Sequence, residues 1–307
     1  MTKNIYTLDK KLPTKNYTGD ILIVGGDQRQ AYLANELAEE GFNVVAVLSD
    51  TNHLFNSSVK KKSNIQLASK NAGVFVFPVP FCDADGFVNA PFSKQKLSYL
   101  DFAKIIKPNS YVFGGKIPSG FFDKVKDKKI KVTDFLKREE FAILNGIPTA
   151  EGAIEIAIRE KTTTLWKSKC LICGYGNIAS PLAKILSAMG AEIEILTKSS
   201  KSKSKAMSDG LKLLNLEDLK NEIGSYDIIF NTAPERVFVP EVLKNASRSS
   251  LFIDLASKPG GIDFECAKEQ GLEVIWALAL PAKTAPVTAG RIVKNTILNV
   301  LSERGDN

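Results

Sequence analysis

A single histidine, four cysteines and no apolar run of about 18 residues mark what this 307-residue chain lacks. His53 stands in a polar segment, so the histidine proton relay of many 2-hydroxy-acid dehydrogenases has no residue to fill it. If hydride moves, a lysine or tyrosine handles the proton or little acid-base help is needed. Cys82, Cys170, Cys173 and Cys266 are too few for a disulfide framework in a protein of this size, which points to a reducing, cytoplasmic compartment. Cys170 and Cys173 share a short apolar run in which residues three apart face opposite sides. Core packing is therefore expected of them rather than metal or redox chemistry, and no metal site is expected. The N-terminus carries no apolar signal core, so neither export nor membrane insertion is expected. The formal charge of +7 suits acidic small molecules about as well as nucleic acid, and no base-stacking aromatic motif accompanies it; no nucleic-acid partner is expected.

What is present is ordinary globular composition, 44% hydrophobic and 24% charged, at a length that accommodates two domains. The most informative stretch is Lys169 to Ala179. A continuous apolar run, Cys170 to Cys173, reads as a buried strand and leads into Gly174-x-Gly176-x-x-Ala179. Ile178, Leu182, Ile185, Leu186 and Met189 then recur at helical spacing, and Gly190 precedes a second strand-like run, Glu192 to Thr197. In such a β-α-β unit Gly174 permits the turn, Gly176 admits a pyrophosphate, and the helix start at Asn177 and Ile178 supplies N–H donors. An NAD site places a carboxylate at the end of the second strand, but here Thr197-Lys198-Ser199-Ser200 offers an ammonium and hydroxyls, which suit the 2′-phosphate of NADP. Asn231-Thr232-Ala233-Pro234 follows a later strand and is expected at the same edge, with Thr232 and Ala233 near the nicotinamide half.

The first half repeats the pattern less completely. Ile21 to Val24 runs into Gly25-Gly26-Asp27-Gln28-Arg29, a helical segment and the run Val44 to Leu48. The turn lacks a small residue at the packing position, so no second dinucleotide site is expected there. Further strands are expected at 74–77, 110–113 and 129–132, with turn chemistry at Thr133-Asp134 and a mobile basic loop from Asn52 to Asn71. Pro148 predicts a break between a helix over 134–144 and another over 149–158. The expected architecture is α/β, with two doubly wound parallel-sheet domains. Residues 1–145 form a substrate domain, 146–285 a Rossmann domain, and a C-terminal helix over 286–307 returns to the first. Candidate ligands for an anionic substrate are Arg29 in the first glycine turn and Lys116, which follows a Gly114-Gly115 pair read as exposed backbone. Lys258 beside Ser257 and Lys283 before the last helix complete the cations, with hydroxyls from Thr149 and Thr288; Lys258 could instead pair with Asp263.

Several longer motifs are more specific. Gly25-Gly-Asp-x-Arg29, Ala142-Ile-Leu-Asn-Gly-Ile-Pro-Thr-Ala-Glu-Gly-Ala-Ile154, Asp254-Leu-Ala-Ser-Lys-Pro-Gly-Gly261 with Asp263-Phe264, and Leu280-Pro-x-Lys283-x-Ala-Pro-x-Thr-Ala-Gly290 occur in that order. Together they make the chain resemble the family of dipicolinate synthase A subunits over nearly its whole length. The resemblance implies NADP-dependent oxidation of dihydrodipicolinate to pyridine-2,6-dicarboxylate in the mother-cell cytoplasm of a spore-forming bacterium. It also implies a partner, the flavoprotein-like B subunit of dipicolinate synthase, with homo-oligomers possible. Asn177 stands where relatives often carry arginine, which leaves Lys198 as the phosphate partner. Two other readings remain at this point: another two-domain NAD(P)-dependent oxidoreductase, or a nucleotide-binding regulatory subunit without turnover of its own.

Overall fold

In the computed structural model, residues 19–305 are described, and they separate into two units, one running to residue 142 together with 286 onward, the other 143–285. The first unit begins with β1 (Asp20–Val24), α1 (Gln28–Glu39), β2 (Val44–Val47), β3 (Lys60–Lys61) and α2 (Ile65–Ser69). It continues through β4 (Ala72–Val76), α3 (Tyr99–Ile105), β5 (Tyr111–Gly114), α4 (Ser119–Val125) and β6 (Lys131–Asp134). Its six strands are all parallel, in the order β3-β2-β1-β4-β5-β6. The apolar, β-branched strands β1, β2 and β4 lie at the middle of the sheet because helices cover both faces of a parallel sheet. The Lys60–Lys61 strand is exposed at the edge, where lysine discourages further pairing.

Helix α5 (Glu139–Glu160) leads into the second unit. There follow β7 (Lys169–Cys173), α6 (Ala179–Ala188), β8 (Glu192–Leu196), α7 (Ser200–Ser208), β9 (Lys212–Leu214), α8 (Leu219–Glu222) and β10 (Ile228–Asn231). The unit closes with α9 (Pro240–Leu243), β11 (Leu251–Asp254), α10 (Phe264–Glu269), β12 (Glu273–Trp276) and α11 (Leu280–Thr284). Its sheet is again fully parallel, in the order β12-β11-β10-β7-β8-β9. Both sheets thus run outward from their first strand in two directions, the doubly wound arrangement. Cys170 and Cys173 point to opposite faces of β7, into the two apolar clusters that sandwich the sheet.

The last helix, α12 (Pro286–Gly305), packs along α1 within the first unit. The contact is close because Gly290 has no side chain; a Cβ there would lie 2.7 Å from the Arg29 carbonyl oxygen. Beyond it, Lys294 is 2% exposed and lies 3.1 Å from Glu36 while also pairing with Glu40, and Arg291 binds Glu36 at 2.6 Å.

Four local expectations give way. Pro148 does not break a helix: α5 runs continuously through it, and Thr149 sits inside the helix, donating its hydroxyl to Asn145 O at 2.7 Å. Burial of Ala150, Ala153, Ile154, Ile156 and Ala157 in the core offsets the hydrogen bond that proline removes. The helix is long and apolar enough by composition to cross a membrane, yet these residues are packed inside the second unit. The Asn52–Asn71 stretch carries β3 and α2, the latter capped by the Asn64 side chain, and Thr133-Asp134 belongs to β6 rather than to a turn. Helices α7 and α11, which charge-rich and proline-containing sequence conceals, are additional to the expected elements.

Candidate functional site

In the second unit the chain reverses its direction of progress across the sheet between β8 and β10, on either side of β7, and a crevice opens at such a point beyond the strand ends. The Gly174-Tyr175-Gly176-Asn177 turn follows β7 there. Gly174 N donates to Leu196 O at 2.8 Å, while Thr232 donates its N–H and hydroxyl to Cys173 O at 2.9 and 2.8 Å, so the turn is tied to both neighbouring strands. Gly174 adopts φ 91°, and a Cβ on it would fall 2.5 Å from Thr232 Oγ1. At Gly176 a Cβ would meet nothing within 4 Å, so open space stands beside the turn. Asn177 and Ile178 lead into α6, where the first N–H groups have no acceptor inside the helix. These features fit a dinucleotide pyrophosphate. Tyr175 faces inward and donates to Asp209 at 2.7 Å; burial, followed by the Asp209 hydrogen bond, pushes its hydroxyl pKa up to about 12.

Beside the turn lies a pocket of about 170 Å³ lined by Leu196, Thr197, Lys198, Ser199, Leu216 and Glu235 among others. Thr197 Oγ1 accepts from Ser199 N, and Ser199 caps α7 by accepting from Ser202 N at 3.3 Å, so Lys198 stands directly before the start of a helix. Lys198 is engaged with Glu235 at 2.9 Å, and this hydrogen bond holds its ammonium above the usual lysine range. Sequence reasoning missed Glu235. Its only signal was position, four residues beyond the end of β10, because the sheet order alone reveals that the β8 and β10 ends flank the same turn.

Ala233 N donates to Asn231 Oδ1 at 3.2 Å. Asn231 in turn donates to fully buried Asp254 at 2.8 Å, whose oxygens also accept from Ala256 N at 3.0 Å and Gly261 N at 2.9 Å. This hub shapes the loop that carries Lys258. The lysine is exposed, with its ammonium 5.8 Å from the Trp276 ring centre; Asp263, its alternative partner, instead caps α10 and pairs with Arg236 at 3.6 Å. Lys283 is exposed in the last turn of α11, and Gly152 of α5 packs against Thr284 beside it. Thr149 is buried within α5, its hydroxyl occupied as described.

The other substrate candidates, Arg29, Lys116 and Thr288, belong to the first unit. Arg29 departs from the expected exposed anion anchor. Its side chain is 11% exposed and binds Asp27 through Nε at 2.9 Å and Nη2 at 2.7 Å, and Nη2 also donates to Val79 O at 2.8 Å. Charge neutralisation by Asp27 explains how the guanidinium tolerates burial. Gly114 and Gly115 are buried rather than exposed, since Cβ atoms on them would fall 2.5 Å from Phe81 and 2.4 Å from Val79. Only Lys116 reaches solvent, with its N–H on Asp134 at 3.3 Å. Thr288 is half-buried in the first turn of α12. The Gly25-Gly26 turn is covered by its own chain, as Gly26 N donates to Asn89 O at 2.8 Å and a Cβ on Gly25 would lie 2.9 Å from Asn89 O and from the Ala90 Cβ. A dinucleotide at that turn would meet protein backbone.

Residues 20–136 match the family model of the N-terminal domain of the dipicolinate synthase A subunit, and residues 156–276 that of shikimate/quinate 5-dehydrogenase. Over 286 residues the chain is 29% identical to the dipicolinate synthase A subunit of Bacillus subtilis (strain 168), covering 92% of this chain and 96% of that protein. This chain is a homologue of the dipicolinate synthase A subunit. The crystal structure of that subunit from Bacillus subtilis superposes with a TM-score of 0.84 at 27% identity, covering 95% of this chain and 98% of that one. Its counterpart from Bacillus halodurans gives 0.85 at 25% identity, covering 92% and 98%. A transhydrogenase from Sinorhizobium meliloti shares the fold, with a TM-score of 0.69 at 15% identity over 92% and 94% of the two chains. Within this dipicolinate synthase homologue, the second unit is therefore a dehydrogenase-type α/β domain.

Proposed function

We propose that the protein is the NADP-dependent subunit of a dipicolinate synthase. It oxidises dihydrodipicolinate to pyridine-2,6-dicarboxylate in the mother-cell cytoplasm during sporulation, acting with the flavoprotein-like B subunit. The observation that carries this reading is the open space at Gly176 beside the turn after β7, in a chain alike the dipicolinate synthase A subunit over 92% of its length. The nicotinamide ring, when bound, supplies the acceptor for the hydride that leaves a ring carbon of the substrate. The chain's own groups bind and orient. The Gly176 to Ile178 amides face the pyrophosphate and Lys198 and Ser199 the 2′-phosphate; Thr232 holds the β10 end against the turn, and with Ala233 lies toward the nicotinamide half. In the second unit, exposed Lys258 and Lys283 are the cations offered to substrate carboxylate.

Loss of one hydride and one proton from a dihydropyridine creates an aromatic ring, so the driving force is large and a histidine base is dispensable. The test is to supply the purified chain with dihydrodipicolinate, NADP and a candidate B subunit, and to follow pyridine product and reduced nucleotide together. Both should rise in step. Nucleotide binding without turnover, whether or not the B subunit is present, would instead assign a regulatory role, and turnover only of hydroxy or amino acids would assign a different oxidoreductase.

A further inference from the structure

The end of β8 lacks the carboxylate that commonly takes the ribose hydroxyls of NAD, but the pocket does not. Glu235 enters it from the loop after β10 and meets Lys198 across 2.9 Å, with the two side chains 65% and 59% exposed. One charge of each sign therefore stands at the place where NAD and NADP differ. A 2′-phosphate brought to Lys198 is also brought to the Glu235 carboxylate, which repels it, whereas a 2′-hydroxyl finds in that carboxylate a hydrogen-bond acceptor. The start of α7, capped by Ser199 directly after Lys198, adds partial positive charge on the same side.

We propose that Glu235 is a specificity-determining residue of the nucleotide site, reading the ribose 2′ position together with Lys198 and holding the preference for NADP over NAD to a narrow margin. The inference rests on the dinucleotide reading of the second unit. It assigns to the β10 loop a carboxylate that dehydrogenases commonly carry at the end of the strand after the glycine turn. Because both side chains are exposed and their pair is a surface contact, replacing either leaves the fold intact.

The test is calorimetric titration of NADP and NAD into the full-length protein and into Glu235→Gln and Lys198→Gln. In Glu235→Gln, NADP should bind roughly fivefold or more tightly and NAD more weakly, because the like charge is lost and the carboxylate acceptor becomes a weaker, neutral amide oxygen. In Lys198→Gln the ratio should move the opposite way, with NADP losing about tenfold and NAD changing little. An affinity ratio in Glu235→Gln within about twofold of the unaltered protein, or equal weakening of both nucleotides, overturns the proposal while leaving the dinucleotide site standing. Failure of the unaltered protein to bind either nucleotide overturns both together.

Discussion

Gly146 lies directly against Asn177: a Cβ on Gly146 would stand 2.1 Å from the Asn177 carbonyl oxygen. Helix α5 is thus the floor on which the turn after β7 rests, and the turn's position depends on a residue 31 places upstream in sequence (177 − 146). Because the obstructing atom is backbone, Gly146→Ala forces either helix or turn to move. It should cost about 1–3 kcal/mol of stability and weaken nucleotide binding at the same time. Thermal unfolding and titration of the same sample check this; an alanine variant with unaltered Tm and affinity would show that α5 can withdraw freely.

Gly176→Val should behave in the opposite way. With nothing within 4 Å of its Cβ position, valine fits the protein and fills the space that the pyrophosphate needs. The circular dichroism spectrum should hardly change while nucleotide binding is abolished, and binding at unaltered affinity would place the dinucleotide elsewhere.

Among Lys116, Lys258 and Lys283, a true ligand of a partly desolvated carboxylate should lose at least about tenfold in kcat/KM on change to Ala, since such a contact is worth about 2–5 kcal/mol. A lysine that merely faces solvent should change it hardly at all. Arg29→Ala should act differently again, lowering Tm, because it leaves Asp27 without its partner. Near-unaltered activity in all three lysine variants would transfer substrate binding to backbone, to hydroxyls such as Ser257 and Thr288, or to a partner subunit.

The thiols offer a prediction with a pH sign. Burial pushes both Cys170 and Cys173 up to about 12 from an ordinary value of 9.0, so at pH 8 neither presents thiolate to an alkylating reagent. Cys82, half-buried and raised less far, should be the first to label, and the other three only on unfolding. Between about 9 and about 12 the unfolded chain ionises these thiols while the fold keeps them protonated. Stability should be full below pH 9 and fall as pH rises through that window. Mass-mapped labelling and urea titrations at pH 8 and pH 10.5 read the two effects.

In the first unit, Lys294→Ala removes the cation shared by Glu36 and Glu40 and leaves two carboxylates at a buried helix contact. A loss of about 3–5 kcal/mol is expected, and Lys294→Ala combined with Glu40→Gln should recover part of it. Additive losses in the double variant would mean that the ion pairs do not couple.

Much of the molecule is legible in the amino-acid sequence. Apolar runs such as Ile21 to Val24 and Cys170 to Cys173 could only be interior strands, because continuous hydrophobicity is tolerated where helices cover both faces of a parallel sheet. The glycine pair after β7 is equally plain, since tight turns and close approach leave few other residues possible. What stays hidden depends on distant partners. Helix α5 continues through Pro148 because core burial outweighs a local penalty, and local rules register only the penalty. Arg29 is an internal clamp because Asp27 and Val79 converge on it, and Gly114 and Gly115 are glycines because Phe81 and Val79 leave no room. Lys198 is visible as a cation, but Glu235 becomes its partner only when the sheet order brings the ends of β8 and β10 to either side of β7. Hydrophobic period and turn chemistry are short-range properties and are written in the sequence. Charge pairing and close packing across strands are set by which strands become neighbours, and that is decided only when the sheet forms.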